Sequence, residues 1–92
     1  MVLVSHDGFN QTPEWRSIIV IPLSTSPSQA NRGPTVVTIQ GGTSGLTKTS
    51  VAICHQVTTL DRSKLTRRIG ALPSDLLKEL ETALKAALDL DT

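Results

Sequence analysis

The run Ser17-Ile-Ile-Val-Ile-Pro-Leu23 limits the fold more than any other part of the chain. Consecutive β-branched side chains lose rotamer freedom in a helix and pack well on a pleated surface, so the run predicts a central strand. Pro22 has no N–H to donate, so that strand must end, bulge or lie at an edge near its last residues. Thr35–Ile39 and Ser50–Val57 predict two more strands, and Val2–Val4 predicts one at the start of the chain. The segments between them are rich in turn formers: Asp7–Glu14, Ser24–Pro34 and Gly41–Gly45. A short last strand is predicted over Arg67–Leu72. After Pro73 the pattern changes, and Leu76, Leu77, Leu80, Ala83, Leu84, Ala87 and Leu88 recur at helical spacing. This predicts an amphipathic helix over about 74–90 with Ser74 as its N-cap. Short strands followed by one helix predict a mainly β, α+β domain. It would be a small, strongly bent antiparallel sheet or partial barrel with the helix packed against it.

At 92 residues the chain makes a single domain, 1–92, with one core. Phe9 and Trp15 are its only aromatics, so the core must be aliphatic, and so few rings argue against RNA binding by rows of stacking aromatics. Cys54 is the only cysteine, which rules out an internal disulfide and fits a reducing, cytoplasmic setting. No apolar run approaches the ~20 residues needed to cross a bilayer, and the N-terminus does not read as a signal peptide. The net charge of +1 is unevenly placed: residues 1–68 balance to +4 and residues 69–92 to −3. A basic body with an acidic end suits a polyanionic partner on one face.

No phosphate-binding glycine motif, no Cys/His spacing for a metal and no clustered carboxylates are present, so no cofactor is expected and any hydrolysis should be metal-free. Metal-free RNA cleavage asks little of a protein. The ribose 2′-OH is already placed as nucleophile, and the enzyme moves protons and stabilises charge on the phosphate. Ser24 and Thr25 follow the best strand, at a sheet rim where hydroxyls can face a phosphate or simply cap a loop. His55 is a base or a structural strand histidine. Gln56 and Thr58 either read base edges or bond to neighbouring backbone. Arg62, Lys64, Arg67 and Arg68 place four cations within seven residues, as a phosphate-binding patch or a solvated turn.

Val2–Asn10, Ile18-Ile-Val-Ile-Pro-Leu-Ser-Thr-Ser26, Gly45-Leu-x-Lys-x-Ser-Val51, His55-Gln-Val-Thr-Thr-Leu-Asp61 and Arg68-Ile-Gly-x-Leu72 occur in one order. Together they resemble the MazF/PemK-type toxin endoribonuclease family across nearly the whole chain. The resemblance implies an SH3-like β-barrel with a C-terminal helix, acting as a homodimer. It also implies an mRNA interferase that cuts single-stranded RNA without metal and is inhibited by a cognate antitoxin peptide. By position Ser24 matches the hydroxyl that the family places at the scissile phosphate, with Thr25 beside it.

Three departures bear on activity. Met1 stands where the family's first strand and Arg-Pro segment would end, and that arginine is a main catalytic group. His55 replaces the usual Asp before Gln56, and Ile53 stands where some members carry another arginine. The expectation is therefore weak or absent cleavage. The alternative is a catalytically inactive member that binds antitoxin or RNA.

Overall fold

The computed structural model of the chain describes residues 1–31, 33–65 and 69–90. Six strands form two three-stranded antiparallel sheets: β1 (Val2–Leu3), β2 (Ser17–Ile21) and β6 (Thr58–Asp61) in the order β1-β2-β6, and β3 (Leu23–Ser24), β4 (Val36–Ile39) and β5 (Ser50–Ile53) in the order β3-β5-β4. Among the described residues two α-helices accompany the sheets, α1 (Asp7–Asn10) and α2 (Ser74–Leu88).

The β-branched run behaves as its chemistry dictates. It stays extended on both sides of Pro22 but changes sheets there, β2 pairing with β6 and β3 with β5. Pro22 cannot donate, yet its carbonyl accepts from the Ile53 N–H at 3.0 Å, so the bend loses one donor and no pairing continuity. One segment thus belongs to both sheets, which gives the strong bend that the sequence predicts.

The core lies between these sheets and α2. Ile18, Val20, Ile21, Val37, Ile39, Val51, Ala52, Ile53 and Cys54 are buried from the strand side, and Leu80 and Ala83 from the helix. Both helical residues are 2% exposed, so α2 packs through a narrow stripe. A fully buried leucine contributes about 1.5–3 kcal/mol, so Leu80 is the main anchor of the helix.

Four local expectations are corrected. β5 ends at Ile53, and Cys54–Gln56 forms a 3₁₀ turn, so His55 lies beyond the strand. The Cys54 N–H still bonds the Thr35 carbonyl at 2.9 Å, in register with the β4–β5 ladder, and the strand stops there because the next backbone bond closes a turn from Val57 to Cys54. The polar run Thr58–Asp61 is a strand because β2 offers it a ladder, with Ser17 opposite Asp61 and Val20 opposite Thr58. Ile69–Leu72 is irregular and forms no strand, while Arg67 and Arg68 fall outside the described residues. Finally, Pro73 is the N-cap of α2 and Ser74 its first helical residue, with no side-chain cap. The helix ends at Leu88, where Asp89 takes a left-handed conformation (φ 55°) and the Leu90 N–H bonds the Lys85 carbonyl at 2.9 Å.

No described helix is long and apolar enough to cross a membrane.

Candidate functional site

Ser24 is the last residue of β3, opposite Val51, and is half-buried. Its Oγ accepts the Ser26 N–H at 3.1 Å, which fixes the hydroxyl at the start of the following loop. A hydroxyl that accepts from the backbone keeps its own proton to donate. Thr25 and Ser26 beside it are exposed, and Ser26 and Ser28 share a 3.0 Å hydroxyl contact. Four hydroxyls therefore follow one another from the end of β3 into the loop, with Ser24 anchored on β5.

His55 and Gln56 are both exposed on the 3₁₀ turn. The His55 Nδ1 lies 2.8 Å from the Thr35 Oγ1. With Nδ1 as donor, Nε2 is left as a free base, and Thr35 fixes the ring. Thr35 is a partner the sequence does not reveal, since it stands 20 residues away. β3 and β5 run antiparallel with Leu23 opposite Ala52 and Ser24 opposite Val51. The Ser24 hydroxyl and His55 consequently lie toward opposite ends of β5, on the order of 10 Å apart. Among the described residues no hydrogen bond joins them.

A third group of residues lies along β6 and the turn after it, with Thr58 at the start of the strand and Arg62 beyond its end. Thr58 is exposed on β6. Arg62 is half-buried, and its guanidinium donates to the carbonyls of Trp15 (2.8 Å), Phe9 (2.8 Å), Asn10 (3.1 Å) and Thr12 (3.1 Å). These bonds engage the side chain that the charge pattern offers to a phosphate. Lys64 is exposed two residues on.

Asp61 caps the turn at Arg62–Lys64 by accepting the Ser63 N–H at 2.9 Å, and Arg16 bonds the same oxygen at 2.9 Å. The Ser63 hydroxyl and backbone N–H, then Arg16, hold its carboxyl well below the ordinary value of 3.8. Because the folded value is the lower one, the stabilisation is complete above about pH 4 and is lost as the pH falls toward the folded value. In a carbon-13 carboxyl titration, Asp61 should remain ionised at about pH 3, and Arg16→Ala should move its midpoint upward. A midpoint unchanged in Arg16→Ala would show that the ion pair adds nothing.

Burial pushes the Cys54 thiol up, so it is a core residue and a poor nucleophile. Among the described residues no group of three or more His, Cys, Asp or Glu side chains is placed to hold a metal ion.

An apolar groove of about 700 Å³ runs between β1 and the segment before α2, lined by Met1, Leu3, Leu65, Ile69, Leu72 and Leu77 among others. Ile69–Leu72 forms its wall through close packing on the Gly41–Gly45 turn, where the Ser44 hydroxyl donates to the Ala71 carbonyl at 2.5 Å.

Residues 1–88 match the family model described as PemK-like, MazF-like toxin of type II toxin-antitoxin system. The Mycobacterium tuberculosis toxin MazF-mt6 superposes with a TM-score of 0.83 at 27% identity, over 99% of this chain and 86% of that one. An endoribonuclease from Mycobacterial species gives 0.78 at 24%, over 98% and 79%. An endoribonuclease solved in complex with its cognate antitoxin, also from Mycobacterial species, gives 0.79 at 23%, over 98% and 80%. The last two likenesses carry the fold.

Proposed function

This chain belongs to the family of PemK-like, MazF-like toxins of type II toxin-antitoxin systems, and from that premise we propose that it cuts single-stranded RNA without a metal ion. The observation that carries the reading is the Ser24 hydroxyl, fixed by the Ser26 N–H on a rigid rim with its proton free for a phosphate oxygen. Thr25 supplies a second hydroxyl to the same phosphate. His55, oriented by Thr35, takes or returns a proton on a neighbouring part of the strand. Gln56 and Thr58 read base edges, and Lys64, with Arg67 and Arg68, attracts the backbone. Arg62 serves this surface by holding the Phe9–Trp15 loop in place.

A family antitoxin is the proposed protein partner, and the apolar groove beside Leu3, Ile69 and Leu77 supports it. A homodimer is supported by the open outer edge of β1, which pairs only with β2 among the described residues. The single buried thiol supports a reducing cytoplasm.

The test is cleavage of a mixed single-stranded RNA in EDTA. Cleavage is expected to persist in the chelator and to fall roughly ten- to a hundredfold in Ser24→Ala, the loss of one hydrogen bond to a charged phosphate oxygen at about 1.5–3 kcal/mol. Metal-dependent cleavage, or full activity in Ser24→Ala, would refute the assignment. A second reading, binding without catalysis, is favoured by the separation of Ser24 from His55. Tight antitoxin capture with no cleavage in any buffer would establish it.

A further inference from the structure

The loop between β1 and β2 holds the chain's only two aromatic rings, and they lie on the surface. Phe9 and Trp15 stack with centroids 4.1 Å apart and planes 4° from parallel. His6 tilts against Phe9 at 5.6 Å, so Trp15 is the outer ring of the series. Both rings remain open to solvent, Trp15 at 43% and Phe9 at 39%. A parallel pair serving only to close a loop gains most by turning inward. The loop backbone that carries this pair is fixed by a specific device, the Arg62 guanidinium, which ties together the carbonyls of Phe9, Asn10, Thr12 and Trp15. Asn10 secures the other side of the loop, its amide donating to the Ser5 carbonyl at 2.9 Å.

We propose that the Phe9–Trp15 stack is a nucleobase platform for single-stranded RNA, with Trp15 as the contacting ring and Arg62 as the positioning residue. The proposal rests on the RNA-cleaving function above and adds a subsite to it. A preformed, parallel ring pair can continue directly into a stacked base, and stacking accepts any base because every base has a π-face. Among the described residues the charges around it are mixed in sign. Arg16 is paired with Asp61, Asp7 and Glu14 lie in the same loop, and Lys64 is exposed two residues after Arg62. Recognition here must therefore come from the ring faces. Trp15 precedes β2, whereas Ser24 lies beyond its other end, so the path between them is on the order of 25 Å. The base held by Trp15 is a flanking nucleotide, several positions from the bond that is cut.

Trp15 is the only tryptophan, so its fluorescence reports on this surface alone. The probes are short random-sequence 2′-O-methyl RNA, whose blocked nucleophile prevents cleavage, and an abasic oligomer of the same backbone. Binding is measured in parallel by filter retention, and cleavage separately on unmodified RNA. The base-bearing oligomer should quench Trp15 saturably and the abasic one should not. Trp15→Ala should weaken retention roughly tenfold, and Trp15→Phe should restore most of it. The quenching is read on the unaltered chain, so it holds even if Trp15→Ala folds poorly. Retention without quenching, equal quenching by the abasic oligomer, or undiminished binding by a folded Trp15→Ala would overturn the platform while leaving the cleavage function standing. A Trp15 emission that shifts with protein concentration alone would show a second copy covering the ring, and would also overturn it. A chain that neither retains nor cuts RNA would remove both readings.

Discussion

Gly45→Ala is expected to destabilise the fold by about 3–4 kcal/mol, a large share of the ~5–10 kcal/mol typical of a domain this size. Two costs combine. Gly45 has φ +84°, where an L side chain is strained by roughly 1 kcal/mol or more. Its Cβ would also land on the Ile69 carbonyl oxygen, a backbone atom with no flexible end to swing aside. The approach is reciprocal, since a Cβ on Gly70 would meet the Ser44 carbonyl. Two glycines therefore let the turn and the segment before α2 touch through their backbones. Gly42 provides the control. It has φ +89° with nothing within 4 Å of an added Cβ, so Gly42→Ala should lose only the conformational part, about 1 kcal/mol. Denaturant midpoints for the two variants check this. Equal losses would mean that the contact with Ile69 contributes nothing.

Arg62→Ala should cost about 2–3 kcal/mol, the second largest effect expected. Hydrogen bonds to a charged donor are worth about 1.5–3 kcal/mol each in a dry setting, but these carbonyls can turn to water once released, so the four do not add. Most of the loss should be local. Amide exchange should quicken from Phe9 to Arg16, while the core around Ile21 and Leu80 keeps its protection. Arg62→Lys should recover only part, because an ammonium lacks the planar fork that reaches several carbonyls at once. Unchanged exchange in the loop would show that the Phe9–Trp15 stack stands without the clamp.

The two variants mark where reading from the chain reaches and where it stops. The strand Ser17–Ile21, its interruption at Pro22, the strand Val36–Ile39 and the helix Ser74–Leu88 follow from side-chain periodicity and one missing donor. The Gly45-Leu46 turn is visible as a motif, but its purpose is not, because the carbonyl it accommodates lies 24 positions later, at Ile69. Arg62 looks like a phosphate ligand in a cationic run, and its actual partners are up to 53 positions away. Thr58–Asp61 carries no alternating apolar pattern and is a strand only because β2 stands beside it.

The candidate site divides in the same way. Ser24 and Thr25 are legible because a strong strand ends there and the family motif coincides with it. His55 is legible as a residue but not in its setting, because a strand reading continues past Cys54, where the Val57 N–H turns back to the Cys54 carbonyl and closes a turn. The aromatic loop gave no periodic signal, with its two rings six positions apart in a polar segment.

The sequence by itself determined β2, β4 and α2, the bend, the aliphatic core and the family, since these depend on neighbours within a few residues or on ordered motifs. Only the tertiary structure decided which polar groups meet: Ser24 and His55 toward opposite ends of β5, Arg62 on four carbonyls, Phe9 on Trp15. Hydrogen-bond partners are chosen by proximity in space, and a chain folded back at Pro22 brings together residues that no local pattern connects.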